Sequence, residues 1–380
     1  MSDMEATVPV RAAVSRTAIR DNVALLRERA GGADVMAMVK ADGYGHGAVP
    51  AARAALAGGA TWLGVAILPE ALRLRAAGIE APLLVALGTP GEPYDQGVAR
   101  DIDLTAGTVR LVEEIGAAAT RADKTARVHL KVDTGMSRGG AALDDWPVLV
   151  DAALAAEAAG HLRVVGLYSH FACADEPGHP SIARQLTLFG HAVELAEKAG
   201  LRPDVRHISN SAAILTLPEA RFDLVRPGIA VYGHTPVPQL GTFGLRPAMT
   251  LTARVAMSKR VAAGSGVSYG HTYVTPAETT LALIPAGYGD GVPRHGSNRL
   301  EVLAAGRRRS IAGRVCMDQF VIDMGGDAIS AGDEVVLFGP GDHGEPTAQE
   351  WADTIGTISY EIVTRLSARV PRTYEGDVDG

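Results

Sequence analysis

The chain has 380 residues, of which 47% are hydrophobic and 21% are charged. This length and composition are typical of a globular protein with two domains, or of a barrel with an appended domain. A core of that size needs no metal or disulfide to fold. The formal net charge of −7 excludes nucleic acid or an anionic membrane as the main partner, because both would repel an acidic protein.

The cysteines and the first residues bear on the compartment. Cys173 and Cys316 are too few for a disulfide framework, which favours a reducing environment. Residues 1–14 contain no basic stretch followed by an apolar block, so no signal peptide is predicted. No apolar run approaches the length of a membrane span. We therefore expect a soluble cytoplasmic protein.

The first part of the chain alternates between short β-type runs and Ala-rich helical stretches. Eight runs predict strands over 35–39, 62–66, 83–87, 102–105, 127–132, 164–169, 205–209 and 224–229. Helical apolar spacing predicts helices over 49–57, 69–77, 108–119, 144–159 and 182–199. Alternation of strand and helix predicts a parallel sheet, and eight such units predict a closed (β/α)8 TIM barrel. An open doubly wound sheet is the alternative.

The pattern changes near Gly241, after which the chain reads as strands and Gly-rich turns. Strands are predicted over 249–261, 279–284, 300–302, 315–323 and 334–338, with one helix over 348–355. The Pro-rich segment 235–239 predicts a linker, and the basic cluster 307–309 predicts a solvated turn. We expect an N-terminal segment (1–11) packed with the β domain, a barrel (12–240) and a mostly β C-terminal domain (241–380).

Lys40 ends the first predicted strand, and barrel enzymes place their sites at such strand ends. Burial at this position would lower the pKa of the amine and make it nucleophilic. The alternative is a lysine that leaves the core for solvent. Tyr44 and the surrounding glycines favour a ligand site, because glycine lets the backbone approach a ligand closely.

The fifth and sixth predicted strands also end in groups suited to binding or catalysis. Arg138 can bind a carboxylate through two parallel hydrogen bonds, or it can form a structural pair with Asp133. His170 is either a catalytic group or a satisfied residue of the barrel rim.

The last two predicted strands end where barrels often hold phosphate. Asn210 and Ser211 are short donors suited to a phosphate, or a plain helix N-cap. Arg226 is a phosphate or ligand group, or one half of a rim ion pair. A lysine, a phosphate site and an arginine for a carboxylate on one barrel together indicate pyridoxal phosphate chemistry on amino acids.

Segments along essentially the whole chain resemble those of the alanine racemase family. In the barrel part they are VKADGYGHG at 39–47, KVDTGMSR at 131–138, HFA at 170–172, NSA at 210–212 and RPGI at 226–229. In the later part they are GVSYG at 266–270, GYGDG at 287–291, GRVCMDQ at 313–319 and YE at 360–361. The resemblance implies a TIM barrel followed by a β domain, pyridoxal 5'-phosphate as cofactor, a small amino-acid substrate and a homodimer with shared active sites.

The resemblance implies roles for residues of the barrel. Lys40 would hold the cofactor covalently, Arg226 would face its pyridine nitrogen and His170 would lie against its ring. Arg138 would contact the phenolic oxygen of the cofactor and the substrate carboxylate. Lys131, whose counterpart is carbamylated in many members, would steady that arginine. The other cofactor-binding residues, most of them at the phosphate, would be Tyr44, Asn210, Ser211, Gly228, Ile229 and Tyr360.

The resemblance also implies roles for residues of the C-terminal domain. Tyr269 would be a catalytic base and Met317 a substrate contact, both from the second subunit of a head-to-tail dimer. Tyr288 and Asp318 would complete the substrate pocket. Considered without the resemblance, Tyr269 and Met317 are more typical of a hydrophobic core than of an active site.

Racemisation removes a proton from one face of Cα and returns it to the other, which suits two bases. We assign Lys40 to D-alanine and Tyr269 to L-alanine. A phenol has a pKa of about 10, so a chain from Tyr269 through His170 to Arg226 would have to stabilise the phenolate. Because a guanidinium keeps its proton, Arg226 would leave the pyridine nitrogen unprotonated and disfavour transamination. The D-alanine formed would supply peptidoglycan.

Three alternatives remain open from the sequence. A racemase of serine or another small amino acid would have the same motifs. A decarboxylase of basic amino acids shares the fold, but it places an acidic residue where Arg226 stands and lacks the GVSYG loop. A non-catalytic pyridoxal phosphate carrier resembles the barrel alone and has no β domain.

Overall fold

The computed structural model describes residues 8–377. Residues 1–7, which make up most of the predicted N-terminal segment 1–11, lie outside the described residues. The chain divides into two compact units. One, the barrel unit, contains residues 19–43 and 48–245; the other, the β unit, contains residues 8–18, 44–47 and 246–377. No helix among the described residues is long and apolar enough to span a membrane.

Eight parallel strands form the core of the barrel unit, as predicted. Strand β1 (Val10–Ser15) belongs to the β unit and precedes them. The barrel strands are β2 (Asp34–Met38), β3 (Trp62–Val65), β4 (Leu83–Val85), β5 (Asp103–Ala106), β6 (Ala126–Lys131), β7 (Leu162–Tyr168), β8 (Val205–His207) and β9 (Leu224–Val225). Neighbours pair in the order β8-β7-β6-β5-β4-β3-β2-β9. The N–H of Arg226 donates to the carbonyl of Ser209 at 2.9 Å and joins the two ends of the sheet, which confirms the barrel over the open sheet.

Helices connect successive barrel strands. They are α1 (Arg16–Ala30), α2 (Ala48–Ala57), α3 (Leu68–Ala76), α4 (Tyr94–Val98), α5 (Val109–Ala122), α6 (Trp146–Ala158), α7 (Pro180–Ala199) and α8 (Ser211–Thr216). The sequence analysis did not predict β1, α1, α4 or α8. The last barrel strand is shorter than predicted, because Pro227 has no N–H to donate to a neighbouring strand.

The β unit contains a six-stranded sheet, a three-stranded sheet and a two-stranded ribbon. The strands are β10 (Met249–Arg254), β11 (Met257–Val261), β12 (Gly266–Val267), β13 (Tyr273–Val274), β14 (Thr279–Ile284), β15 (Glu301–Ala304), β16 (Arg307–Ser310), β17 (Phe320–Asp323), β18 (Glu334–Phe338) and β19 (Arg372–Glu375). The sheet orders are β16-β15-β18-β10-β1-β19, β11-β14-β17 and β12-β13. Helices α9 (Ala348–Ile355) and α10 (Ser359–Thr364) follow β18. A mostly β second unit confirms the predicted fold class.

Three predictions for the β unit were wrong in detail. The single strand predicted over 249–261 is two strands, and they join different sheets. Only the end of the predicted strand 315–323 is extended, because its first residues form a loop. The basic cluster 307–309 is edge strand β16 rather than a solvated turn, since the turn falls at Ala305 and Gly306, both with positive φ. Arg308 and Arg309 of this strand pair with acidic side chains.

Candidate active site

Lys40 follows β2 and opens a left-handed helical turn, Lys40–Tyr44. The φ and ψ angles are 51° and 50° at Ala41, 53° and 49° at Asp42, and 62° and 44° at Gly43. This conformation costs about 1–2 kcal/mol for each residue that has a Cβ. Such strain persists only where the surroundings hold the backbone in place.

Three hydrogen bonds at Ala41, Asp42 and Gly43 help to hold this turn, and at its end the Tyr44 carbonyl lies 2.9 Å from His46 Nδ1. The N–H of Gly43 donates to the carbonyl of Val39 at 3.0 Å, and the Asp42 carboxylate accepts the N–H of Ala48 at 2.9 Å. The third comes from outside the segment, since the N–H of Ala41 donates to Glu70 at 2.6 Å. The backbone that positions Lys40 is therefore fixed on both sides of the turn.

The amine of Lys40 lies in a predominantly positive environment. Burial lowers the pKa of Lys40, and the nearby guanidinium groups of Arg138 and Arg226 lower it further. The Glu70 carboxylate opposes them and raises the pKa. A lowered pKa is what a nucleophilic amine requires, and the role of Lys40 as that nucleophile stays a prediction.

Lys131, at the end of β6, shares this environment. Burial, assisted by the charges of Arg226 and Arg138, lowers the pKa of Lys131 to about 8. Its Nζ lies 5.4 Å from the centre of the Tyr168 ring. An appreciable fraction of this amine, though less than half, is therefore neutral near physiological pH, and the neutral form is the one that can react with carbon dioxide.

Arg226 is buried at the end of β9 and makes several hydrogen bonds. One terminal nitrogen donates to His207 Nδ1 at 2.7 Å, and the other donates to the carbonyl of Ser169 at 2.8 Å. Burial lowers the pKa of Arg226 to about 10, which leaves it protonated at neutral pH. None of its hydrogen bonds to described residues uses Nε, so this donor remains for a ligand.

A row of buried side chains lies behind Arg226. His207 Nε2 and His129 Nδ1 are 2.9 Å apart, and His129 Nε2 is 3.1 Å from Asp103. Because Arg226 can only donate to His207 Nδ1, His207 carries its proton on Nε2, and the same reasoning places the His129 proton on Nε2. A Cβ at Gly166 would lie 2.3 Å from His129 Nδ1, so β7 must have glycine there.

Asp103 at the far end of this row is ionised. Burial alone would raise its pKa, but hydrogen bonds from His129 and from Arg127, whose Nε lies 2.6 Å away, hold the pKa below its ordinary value. Burial beside Arg226 lowers the pKa of His207 well below its ordinary value, so that ring is neutral. The row thus connects the positive charge of Arg226 to the negative charge of Asp103 through two hydrogen-bonded imidazoles.

His170 lies beside Arg226 at the end of β7. An Arg226 terminal nitrogen donates to His170 Nδ1 at 3.3 Å. Burial and then the Arg226 charge lower the pKa of His170 well below its ordinary value. The ring is therefore neutral with its proton on Nε2. Gln185 holds the segment by donating to the His170 carbonyl at 3.0 Å and accepting the Ala172 N–H at 2.9 Å.

The loop that carries Arg138 is organised by Asp133. Its carboxylate accepts four backbone N–H groups at 2.8–3.2 Å, from Gly135, Met136, Ser137 and Arg138. Burial alone would raise the pKa of Asp133, but these four donors hold it below its ordinary value. Among the described residues, no ion pair joins Asp133 to the guanidinium of Arg138. The alternative of a structural Asp133–Arg138 side-chain pair is therefore not what the structure shows.

The predicted phosphate residues of the barrel unit form a compact corner. Asn210 caps helix α8, since its side chain accepts the Ala213 N–H at 3.0 Å. The Ser211 hydroxyl accepts the N–H groups of Gly228 at 2.8 Å and Ala230 at 3.4 Å. Asn210 thus does what its N-cap alternative predicted, whereas Ser211, Gly228 and Ile229 lie together after the last two strands.

The β unit holds the other predicted residues. The rings of Tyr44 and Tyr360 lie 6.2 Å apart, and burial together with Tyr360 raises the pKa of Tyr44. Tyr269 follows Ser268, whose φ of 59° and ψ of −171° are essentially restricted to glycine. The Ser268 hydroxyl donates to the Arg314 carbonyl at 2.7 Å. The Tyr269 side chain is 72% exposed.

The loops carrying Tyr288 and Met317 are bound to each other. The N–H of Tyr288 donates to the Cys316 carbonyl at 3.0 Å, and the N–H of Gly289 donates to the Met317 carbonyl at 2.8 Å. Tyr288 and Met317 are both exposed, at 43% and 53%. Asp318 instead accepts a hydrogen bond from Arg369 at 2.8 Å. A cavity of about 410 Å³ beside this region is lined by Ser268, Tyr269, Gly270, His271, Leu283, Cys316, Gln319, Phe320 and Val321.

Sequence reasoning missed the residues that support the site from behind. His129 and His207 stand in strand runs that also contain arginine, so their presence there gave only a weak signal. Asp103 opens the weak run of β5, and Glu70 stands in the first turn of α3. Nothing in the local sequence distinguishes these two acids from ordinary surface acids, because their partners are remote in sequence.

Comparisons with known proteins agree along the chain. A family profile described as alanine racemase, N-terminal domain matches residues 14–236, and one described as alanine racemase, C-terminal domain matches residues 248–374. An alanine racemase of Thermobifida fusca is 61% identical over 367 residues, which are 97% of this chain and 98% of that protein. One of Streptomyces coelicolor is 58% identical over 380 residues, 98% of this chain and 97% of that protein.

Solved structures agree as well. The alanine racemase structure from Streptomyces coelicolor A3(2) has a TM-score of 0.97 at 57% identity, covering 99% of this chain and 100% of that one. The crystal structure of the enzyme from D-cycloserine-producing Streptomyces lavendulae has a TM-score of 0.96 at 55% identity, covering 97% and 98%. Matches across both domains do not favour a decarboxylase or a barrel-only carrier, and the chain belongs to the alanine racemase family.

Proposed function

We propose that this chain interconverts L-alanine and D-alanine with pyridoxal phosphate bound to Lys40. The observation that carries the proposal is the lowered pKa of the Lys40 amine at a barrel strand end, held by a strained turn and facing two guanidinium groups. Family membership supports alanine as the substrate. We further propose a soluble cytoplasmic homodimer with domain boundaries at 12–240 and 241–380, whose D-alanine enters peptidoglycan.

The donor set in the barrel unit fits the cofactor. Lys40 offers a nucleophilic amine, Arg226 has an uncommitted Nε–H, and Ser211 lies with Gly228 in a corner suited to a phosphate. Ile229, Asn210, Tyr44 and Tyr360 would complete the set. When bound, the cofactor withdraws electrons from Cα of the amino acid and thereby makes its proton removable.

Lys40 would hold the cofactor and would also act as one base on Cα. Burial and the neighbouring guanidinium groups lower the pKa of the amine, which brings it closer to the range in which it can take a proton from D-alanine and later return it. The left-handed turn fixes the backbone from which the Lys40 side chain departs. The fixed backbone at Lys40 and the lowered pKa of its amine would both suit proton transfer at a single face of Cα.

Tyr269 of the partner subunit would act on the opposite face. Its exposure on one copy leaves the phenol available to a second copy. His170, neutral with its proton on Nε2, would donate to the phenolic oxygen and favour the phenolate, while Arg226 holds the His170 ring through Nδ1. This arrangement would supply the help that a phenol needs near neutral pH.

Arg226 and Arg138 would have different tasks. Arg226 keeps its proton at neutral pH because its pKa stays near 10, so it would donate to the pyridine nitrogen without protonating it. That limits electron withdrawal and disfavours transamination. Arg138 would contact the phenolic oxygen of the cofactor and the substrate carboxylate, steadied by a carbamate on Lys131. Tyr288, Met317 and Asp318 would limit the size of the substrate side chain.

The test is direct. Purified protein is incubated with pyridoxal phosphate and L-alanine, and D-alanine is measured by chiral chromatography alongside L-serine as a competing substrate. Borohydride reduction followed by peptide mass spectrometry should find the cofactor on Lys40. Protein that stays colourless with the cofactor, or that forms no D-alanine, would show the proposal to be wrong.

A further inference from the structure

Glu70 contacts the backbone on which Lys40 is mounted. It lies in the first turn of α3, in the segment that follows β3. Its Oε1 accepts the N–H of Ala41 at 2.6 Å, and its Oε2 accepts the N–H groups of Ala66 at 2.8 Å and Ile67 at 3.3 Å. One carboxylate therefore joins the segments after two neighbouring barrel strands.

The contact with Ala41 falls where it has most effect on Lys40. The N–H of Ala41 belongs to the peptide that links it to Lys40, so holding that group fixes the plane from which the lysine side chain departs. Ala41 also has the first positive φ of the left-handed turn. Of the three hydrogen bonds at Ala41, Asp42 and Gly43, the one to Glu70 acts next to Lys40 and comes from a different strand–helix unit.

The charge of Glu70 also distinguishes it from its surroundings. Arg138 and Arg226 both face Lys40 and lower its pKa, and Lys131 is close enough for the two lysines to affect each other. Glu70 is the acidic group among them, and it offsets part of this positive field. Its removal should make Lys40 less basic while it loosens the backbone.

We propose that Glu70 is a positioning residue for Lys40, holding the left-handed turn through Ala41 and supplying a counter-charge in the positive surroundings of the lysine amine. This inference rests on the proposed racemase function. It assigns to Glu70 a role in the proton transfer that uses Lys40. It therefore predicts that the isotope effects with D-alanine and with L-alanine respond differently to loss of Glu70, which a general loss of packing would not produce.

The experiment compares Glu70→Gln with the unmodified protein. The amide cannot accept hydrogen bonds on both sides, and it has no charge. We expect kcat to fall about 10-fold to 100-fold, as small displacements of a reacting group do. The pH midpoint for covalent attachment of added pyridoxal phosphate, followed by absorbance, should move down by roughly one unit. The deuterium isotope effect at Cα should increase with D-alanine, whose proton Lys40 removes, and should not increase with L-alanine.

Two further variants separate charge from geometry. Glu70→Asp keeps the charge but shortens the reach, so kcat should fall while the attachment midpoint stays near that of the unmodified protein. Glu157→Gln is the matched control, because the Glu157 carboxylate also accepts a backbone N–H, from Val164 at 2.7 Å near the start of β7. It should leave the midpoint and the isotope effects unchanged.

Two results would overturn the proposal. One is a Glu70→Gln protein with kcat and attachment midpoint equal to those of the unmodified protein. The other is a Glu70→Gln protein that loses thermal stability and kcat but keeps the attachment midpoint of the unmodified protein. In that protein the isotope effects with D-alanine and with L-alanine would change by the same factor. Failure of the racemase proposal is a separate result, since the unmodified protein would then form no D-alanine.

Discussion

The turn that carries Lys40 and the loop that carries Tyr269 both have strained backbone conformations, but they differ in how far the functional side chain is buried. Both contain residues with a Cβ in conformations that favour glycine, Ala41 and Asp42 in one and Ser268 in the other. The Lys40 amine is desolvated among charged neighbours and its pKa is lowered. The Tyr269 side chain is 72% exposed.

This difference indicates that the two candidate bases are prepared in different ways. The barrel unit itself supplies the charges and hydrogen bonds that tune Lys40. The β unit supplies Tyr269 with a fixed backbone, held by the hydrogen bond from Ser268 to the Arg314 carbonyl, but not with an enclosed environment. We infer that the chemistry of Tyr269 depends on a second copy of the chain.

The largest expected effect is that of Lys40→Ala. The variant loses the amine that holds the cofactor and a general base, and a general base alone contributes about 10²–10⁴-fold. We expect racemisation to fall at least about 10⁴-fold and borohydride to fix no cofactor. Lys124→Ala is the control, since Lys124 pairs with Asp101 on the surface at 2.6 Å. Cofactor fixed elsewhere with activity retained would contradict the assignment.

The next largest effect is expected for Tyr269→Phe, which tests the exposed one of the two candidate bases. Loss of one general base should lower L-to-D turnover about 10²–10³-fold, while borohydride still fixes the cofactor to Lys40. Tyr273→Phe is the matched control, because the Tyr273 hydroxyl donates to Asp323 at 2.6 Å within the β unit. That variant should keep its turnover. Near-normal turnover and Cα deuterium exchange in Tyr269→Phe would rule out the two-base mechanism.

Burial in the barrel unit should also make the fold sensitive to acid. His234 is fully buried, its Nε2 has no hydrogen-bond partner among the described residues, and burial lowers its pKa to about 4. The pKa of a histidine in the unfolded chain is about 6.5, so above that pH the buried ring does not lower the free energy of unfolding through its titration. Between pH 6.5 and 4 the unfolded chain binds the proton first, and stability falls by up to roughly 3 kcal/mol.

The check is urea unfolding at pH 7.5 and 4.5 at one fixed protein concentration. The unmodified protein should lose more stability on acidification than His234→Leu, which removes the titrating group. Burial lowers the pKa of His170 and of His207 in the same direction, so part of the loss should remain in the variant. Equal losses in both proteins would show that His234 does not contribute.

The smallest effect concerns the backbone of the Tyr269 loop. Ser268→Ala and Ser268→Gly both lose the hydroxyl that donates to Arg314, but only glycine relieves the φ of 59° and ψ of −171°. The glycine variant should therefore be more stable than the alanine variant by about 1 kcal/mol. In ordinary strands and helices this order is reversed. Thermal unfolding of the two variants measures the difference, and an alanine variant of equal or greater stability would exclude strain at this position.

Much of the barrel could be predicted because its signals are local. Strand and helix alternate within short windows, and the observed β2, β3 and β7 lie within a few residues of the predicted runs. Lys40 and Arg226 could be singled out because a polar residue at the end of an apolar run is visible in the sequence. Strand β1 was missed because its alternating small residues, VRAAVS, give a weak pattern.

The sequence by itself determined the eight barrel strands, most of the helices between them and which polar side chains stand at the strand ends, since these depend on neighbours along the chain. Only the tertiary structure decided that Glu70 holds Ala41, 29 residues away, and that His129 meets His207, 78 residues away. Such pairs form when the parallel strands assemble into the barrel, and no local pattern encodes which buried donor will then face which acceptor. Their partners set the charge and tautomer of each group, and therefore its chemistry.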